Sequence, residues 1–233
     1  LTMTNVTVSG NYGDGINVRA GSTLTNVTVS NNQGDGVDVS GNATLNNVTI
    51  SGNTRVGLEI SGSPTLTNVT ISGNGGTGIS VAGNSDPVLN HITVVDNEGM
   101  GMSVAVVSGN GSDPQVRNSI FWGNLSDPLF GEQISTGDFS HTTVTDSILQ
   151  GGCSGWDWSL SCTNVITSDP KLGPLGNYGG YTQVVPFRVG SSAIDATSNN
   201  CIPTDQRGWP RSSPNCDMGA YEYYEAMPIN LPY

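Results

Sequence analysis

Acidic residues recur at fixed intervals in the first third of the chain, and any chemistry would have to start from them. Asp14 and Asp35 hold equivalent places in "YGDGI" and "QGDGV", 21 positions apart, with Asp38, Glu59, Arg19 and Arg55 close by in sequence. Two carboxylates one strand spacing apart, ~4.8 Å, would suit a small calcium site at a bend, because calcium collects oxygen ligands. A calcium-dependent polysaccharide lyase needs such a cluster plus an Arg or Lys that abstracts a proton, whereas a glycosidase needs carboxylates facing one another across a cleft. Solvated acidic turns explain the same pattern with fewer demands, and that reading is the one adopted. No catalytic residue is therefore assigned, and Asp14 and Asp35 stand as the calcium candidates, with no other cofactor expected. His91 and His141 have no recognisable catalytic partner. Trp122, Trp156, Trp158 and Phe130 are candidates for stacking on sugar rings, with packing at a junction as the plainer alternative.

The elements that would position these residues are set by a repeat. Asn5, Asn26, Asn47 and Asn68 follow one another at 21-residue steps, and His91, Asn118 and Asp146 take the same place at steps of 23, 27 and 28. A second rank comprises Asn11, Asn32, Asn53, Asn74, Asn97 and Asn124, six residues after the first. A third signal is Gly-apolar-x-apolar in "GINV", "GVDV", "GLEI", "GISV" and "GMSV". In "NVTVS" alternation turns Val inward and Thr outward, and the Leu of "TLTN" supplies a further inward wall. Such a unit fits one coil of a parallel β-solenoid, in which each strand pairs with its copy one coil later. Asn at each bend tolerates left-handed backbone, and its amide both donates and accepts, so stacked copies can form a hydrogen-bonded ladder. The reading is all-β: a parallel β-helix of about 21–28 residues per coil over residues 1–167, with longer loops after residue 84 and an irregular C-terminal cap over 168–233. The pattern resembles right-handed parallel β-helix proteins, which implies that hand.

From residue 168 the repeat stops. "DPKLGPL" from Asp169, Gly179-Gly180, "AIDA" from Ala193, "DQRG" from Asp205 and "CDMGAYE" from Cys216 follow in order. This stretch resembles the choice-of-anchor Q domain on the C-terminal side of bacterial surface β-helix proteins. The chain ends "EAMPINLPY", with neither a sorting motif nor a hydrophobic tail. A solenoid end exposes an unpaired strand edge and an open core, so this segment reads as a seal over the last coil. Asp205 and Arg207 are expected to form a charge-assisted network with Asp195 or Asp217. Cys153/Cys162 and Cys201/Cys216 form two local pairs, read as disulfides from an oxidising compartment.

Composition narrows the partners. Seven Lys and Arg against a net charge of -12 exclude a nucleic-acid partner, because phosphate binding needs clustered cations. No apolar run reaches the roughly 20 residues of a membrane span, so no membrane insertion is expected. The expected role is a secreted, non-catalytic surface, structural or adhesive protein, with cell-surface or glycan partners or self-association end to end into filaments. The alternative is a carbohydrate-active β-helix enzyme or a glycan-binding module. A minor alternative, ice binding, rests on the array of Thr7, Thr28, Thr49 and Thr70 with Ser9, Ser30, Ser51 and Ser72.

Overall fold

The computed structural model describes residues 1–105, 107, 111–125, 133–153 and 159–225; Phe130, Trp156 and Trp158 lie outside them. Long strands and four-residue strands alternate through the first coils: β1 (Thr2–Ser9), β2 (Ile16–Arg19), β3 (Thr23–Ser30), β4 (Val37–Ser40), β5 (Thr44–Ser51), β6 (Leu58–Ser61), β7 (Thr65–Ser72), β8 (Ile79–Ala82), β9 (Val88–Val95) and β10 (Met102–Ala105). β11 (Gln115–Arg117), β12 (Ile120–Trp122), β13 (Ile134–Thr136), β14 (Thr142–Leu149) and β15 (Leu160–Ile166) complete the solenoid. Every pairing between these strands is parallel and joins one coil to the next. A nine-stranded sheet contains β1, β3, β5, β7, β9, β11, β12, β14 and β15; a six-stranded sheet runs β13-β10-β8-β6-β4-β2.

Each long strand is bent at its ladder residue into two walls. Asn5, Asn26, Asn47 and Asn68 have φ of 57°, 55°, 55° and 52°, and His91, Asn118 and Asp146 follow at 53°, 50° and 47°. Asn suits this left-handed corner because its short amide satisfies the local backbone. Wall one is the strand half before the corner, wall two the half after it, and wall three the six-stranded sheet. Side chains repeat in register, so Leu24 lies between Met3 and Leu45 on wall one. Val27, Val48 and Val69 stack likewise on wall two, and Val18, Val39, Ile60 and Val81 on wall three, all fully buried. Gly is required at the start of wall three: a Cβ on Gly36 would lie 2.5 Å from the carbonyl oxygen of Gly57 and from Cγ2 of Ile50.

The two Asn ranks form ladders that run in opposite directions. In the first, the later coil donates: Asn26 to Asn5, Asn47 to Asn26 and Asn68 to Asn47, at 2.9, 3.1 and 3.2 Å. In the second the earlier coil donates, from Asn11 to Asn32, Asn53, Asn74, Asn97 and Asn124 in turn, at 2.8–2.9 Å. Its members are buried from Asn32 onward, and Gln133 accepts from Asn124 where the next Asn would stand.

The C-terminal segment is irregular, its only pairings among the described residues being isolated antiparallel bridges such as Thr197–Cys216 and Thr204–Pro210. Its described residues run back along wall two. Gln206 donates to the carbonyl of Val48, and Gly219 donates to the carbonyl of Asn118, so the contacts span several coils. The physical reason lies in the outward rank of wall two, where Thr70 and Thr93 are followed by Ile120, Ile148 and Ile166. Those isoleucines would expose apolar surface. They instead form a second core with Phe187, Ala193 and Met218, against which Trp122 and Tyr221 also pack.

Candidate functional site

Three surfaces hold the polar groups from which function can come. On wall three, Asp38 pairs in register with Asn17 on one side and Glu59 on the other, and Glu59 pairs with Ser80. Both carboxylates are half-buried, about one strand spacing (~4.8 Å) apart. Burial first, then the charges of Asp14 and Asp35, hold Asp38 above the usual carboxylate range. Burial also raises Glu59; Asp35 and Asp38 add to that rise, while the Ser80 hydroxyl and Arg55 oppose it.

The calcium candidates occupy the bend beside this pair. Asp14 Oδ1 accepts from the backbone N–H of Asp35 at 2.9 Å, and Asp35 Oδ1 accepts from Val56 N–H at the same distance. Each thus ties one coil to the next, as the Asn ladders do. Arg55 approaches Asp35 at 3.7 Å, mostly exposed, an arrangement that adds little in water. Among the described residues no group of three or more His, Cys, Asp or Glu side chains could hold a metal ion.

Wall two carries the densest polar network, formed with the C-terminal segment. Thr49 donates to the carbonyl of Gln183, Thr70 donates to Gln206 Oε1 at 2.7 Å, and Thr93 accepts from Ala220 N–H at 3.0 Å. All three threonines are buried, whereas Thr7 is exposed and Thr28 half-buried. The Thr-x-Ser array singled out for ice binding is therefore covered from its third member on, because the segment uses its hydroxyls for docking.

Behind that contact lies a buried ionic cluster. Arg207 pairs with Asp205 at 2.6 Å, its guanidinium between the rings of Trp209 and Tyr221, 4.4 and 3.9 Å from their centroids. Asp217 accepts from the backbone N–H groups of Asp195 and Tyr223. Asp195 thus joins through its backbone. Burial, reinforced by the charge of Glu222, pushes the Asp217 carboxyl up to about 7. Two members were missed in sequence: Arg211 pairs with Glu222 at 3.1 Å and donates to Asn68 Oδ1 at 3.0 Å. The missed signal was the position after Asn68 in the first ladder. His91 stands there, and Arg211 supplies Asn68 Oδ1 with the donor that an Asn would have given. His91 is fully buried, and burial together with Arg211 pushes its imidazole down to about 3.

Of two disulfides, Cys153–Cys162 ties Cys153 to β15, and Cys201–Cys216 lies next to His91, where Cys216 Sγ is 4.0 Å from the imidazole.

Wall one is the third surface, and its pattern was missed because only its Leu was read. Outward residues flank each inward one as Thr2/Thr4, Thr23/Thr25, Thr44/Asn46 and Thr65/Thr67 in the first four rungs, then as Val88/Asn90, Gln115/Arg117 and Thr143/Thr145. These side chains are exposed or half-buried, and no hydrogen bond among the described residues engages these threonine hydroxyls. Wall one is uncharged through its first four rungs and in register.

Comparison with known proteins follows this geometry. No curated protein matches the sequence. Among solved structures, the crystal structure of pectate lyase Pel9A superposes with a TM-score of 0.66 at 14% identity, covering 96% of this chain and 65% of that one. At that identity the likeness concerns the fold. The sequence also matches the family described as right handed beta helix region, over residues 1–168. The chain belongs to the right-handed β-helix family.

Proposed function

We propose that this chain is a secreted, non-catalytic β-solenoid that works as an adhesive or structural surface, with wall one as its contact face for a glycan or another cell-surface polymer. The observation that carries this reading is the contrast between threonine ranks on the same strands. On wall two the hydroxyls of Thr49, Thr70 and Thr93 are used to dock the C-terminal segment. On wall one Thr23, Thr25, Thr65 and Thr67 remain accessible in register. Rows of hydroxyl and methyl groups at strand spacing offer both hydrogen bonds and apolar contact to an extended uncharged chain. The disulfides fit an oxidising, extracellular setting. The resemblance of residues 168–233 to a choice-of-anchor Q segment fits a surface protein; in that reading Asp205, Arg207 and Asp217 are framework, as their bonds to backbone and to one another suggest.

The test is a glycan array read with wild type, with Thr25→Lys/Thr67→Lys, and with Thr7→Lys as a wall-two control. Binding lost only in the first variant supports the assignment; binding equal in all three rejects it.

A second reading, a carbohydrate-active enzyme, is favoured by the Asp38–Glu59 pair. Its carboxylates are raised and adjacent, as an acid and its partner would need. Reducing-sugar and unsaturated-uronate assays test it, and turnover abolished by Glu59→Gln would establish it in place of the first.

A further inference from the structure

One rung of the first Asn ladder lacks the donor that closes the rungs between amides and that Arg211 supplies where His91 stands. Between amides, every rung is closed by an N–H donor from the later coil. Arg117 pairs with Thr145 and Ile120 with Ile148, so register sets Asp146 opposite Asn118. A carboxylate has no hydrogen to donate, and Asn118 Oδ1 is left buried without a hydrogen-bond partner. The Asn118 amide cannot turn to relieve this, because its Nδ2 donates to Asn90 Oδ1 at 3.1 Å and to the Asn199 carbonyl at 2.9 Å. Asp146 is held from other directions: Oδ1 accepts from Asn164 at 3.1 Å and Oδ2 from Asn199 at 3.3 Å. It forms no salt bridge among the described residues. The rung therefore faces an amide oxygen with an unneutralised carboxylate. Asp146, though not Asn118, borders a cleft of about 370 Å³ whose lining includes Asn164, Thr197, Ser198 and Asn199.

We propose that the Asn118–Asp146 rung binds an oxygen-seeking cation of the calcium type. A carboxylate and an amide carbonyl are both calcium ligands, and the adjoining cleft leaves room for the waters that complete such a shell. The cation would close the rung electrostatically where the ladder elsewhere uses a hydrogen. Because Asn199 reaches Asp146 from the C-terminal segment, the same site would tie that segment to the last coils. The competing occupant is a water molecule donating to both oxygens.

The experiment compares chelator-treated wild type with Asp146→Asn, Asp146→Ala and the double variant Asp14→Asn/Asp35→Asn. Each is titrated with CaCl2 by calorimetry, and thermal unfolding is followed with and without millimolar calcium. The expected result is calcium binding and a Tm raised by calcium in wild type and in the Asp14/Asp35 variant. Asp146→Asn should lose that binding and, having restored the missing donor, should unfold above calcium-free wild type. Asp146→Ala should lose binding without that gain. A wild type indifferent to calcium, or a calcium response that survives in Asp146→Asn, would overturn the proposal; so would its loss in the Asp14/Asp35 variant.

Discussion

Thr67 and Thr70 lie three residues apart on one strand, on either side of the Asn68 corner, yet one meets solvent and the other is fully buried. The difference extends to the two regions they represent. The coils are held by repetition: each residue meets its copy at strand spacing, so a choice made once serves every rung. The C-terminal segment has no repeat and, among the described residues, only isolated bridges, and it is held there by individual contacts, two buried ion pairs and a disulfide. Order by register spreads its energy over many equivalent bonds. Order by specific contacts concentrates it in a few, so single substitutions should act very unequally in the two regions.

The largest effect is expected where the regions meet through charge. Arg211→Met leaves Glu222 buried without its cation and removes the donor to Asn68, and should destabilise by about 3–5 kcal/mol in urea unfolding. A loss below ~1 kcal/mol would mean that the ion pair does not anchor the segment.

His91 gives the next contrast, through pH. Its folded pKa of about 3 lies below the ordinary 6.5, so its contribution is fully present above pH 6.5 and is lost as pH falls towards 3. Asp217 acts oppositely: raised to about 7 from 3.8, its contribution is present below pH 3.8 and is lost as pH rises through 7. The two oppose each other between roughly pH 4 and 6.5. His91→Asn should remove the acid-sensitive component, leaving a protein whose urea midpoint rises on acidification from pH 7 to 5, while that of wild type changes less. Each unit of pKa shift amounts to about 1.4 kcal/mol, so the divergence should reach a few kcal/mol.

Replacing Cys201 and Cys216 together by Ser opens a bridge of sequence separation 15 and should cost about 3 kcal/mol, read as a lowered Tm. Within the coils, Asn53→Ala removes the oxygen that accepts from the backbone and side chain of Asn32, and should cost about 1–3 kcal/mol. The smallest and sharpest comparison is Thr70→Val against Thr67→Val. The first strands the buried Gln206 oxygen and should cost ~1 kcal/mol; the second should stay within about 0.5 kcal/mol. Equal losses would mean that wall two is not closed by the segment.

The coils were largely legible in the sequence because stacking converts position into period. Asn5, Asn26, Asn47 and Asn68 recur every 21 residues since each is a corner, and the alternation in "NVTVS" fixed which side faces the core. The docking of the C-terminal segment was less visible, since its contacts join residues far apart in sequence, 134 positions in Thr49–Gln183 and 158 in Val48–Gln206. One trace was present: "SIFW" and "SILQ" place Ile120 and Ile148 in a rank held by Thr in the earlier coils, a local break in alternation that signals a covered outer face. Arg211 and Glu222 broke no alternation, because an ion pair has no period, and the one mark pointing to Arg211 was His91 standing after Asn68 in the Asn ladder. Thr-x-Thr on wall one was overlooked for a different reason: attention to the inward Leu concealed the outward pair flanking it.

Incubation of the protein with a panel of soluble and insoluble polysaccharides, followed by cosedimentation and by release of reducing ends or unsaturated uronates, tests the proposed role most directly. The prediction is retention on at least one polysaccharide, lost in Thr25→Lys/Thr67→Lys, with no products formed. Product release that disappears in Glu59→Gln would contradict it and move the functional face from wall one to wall three.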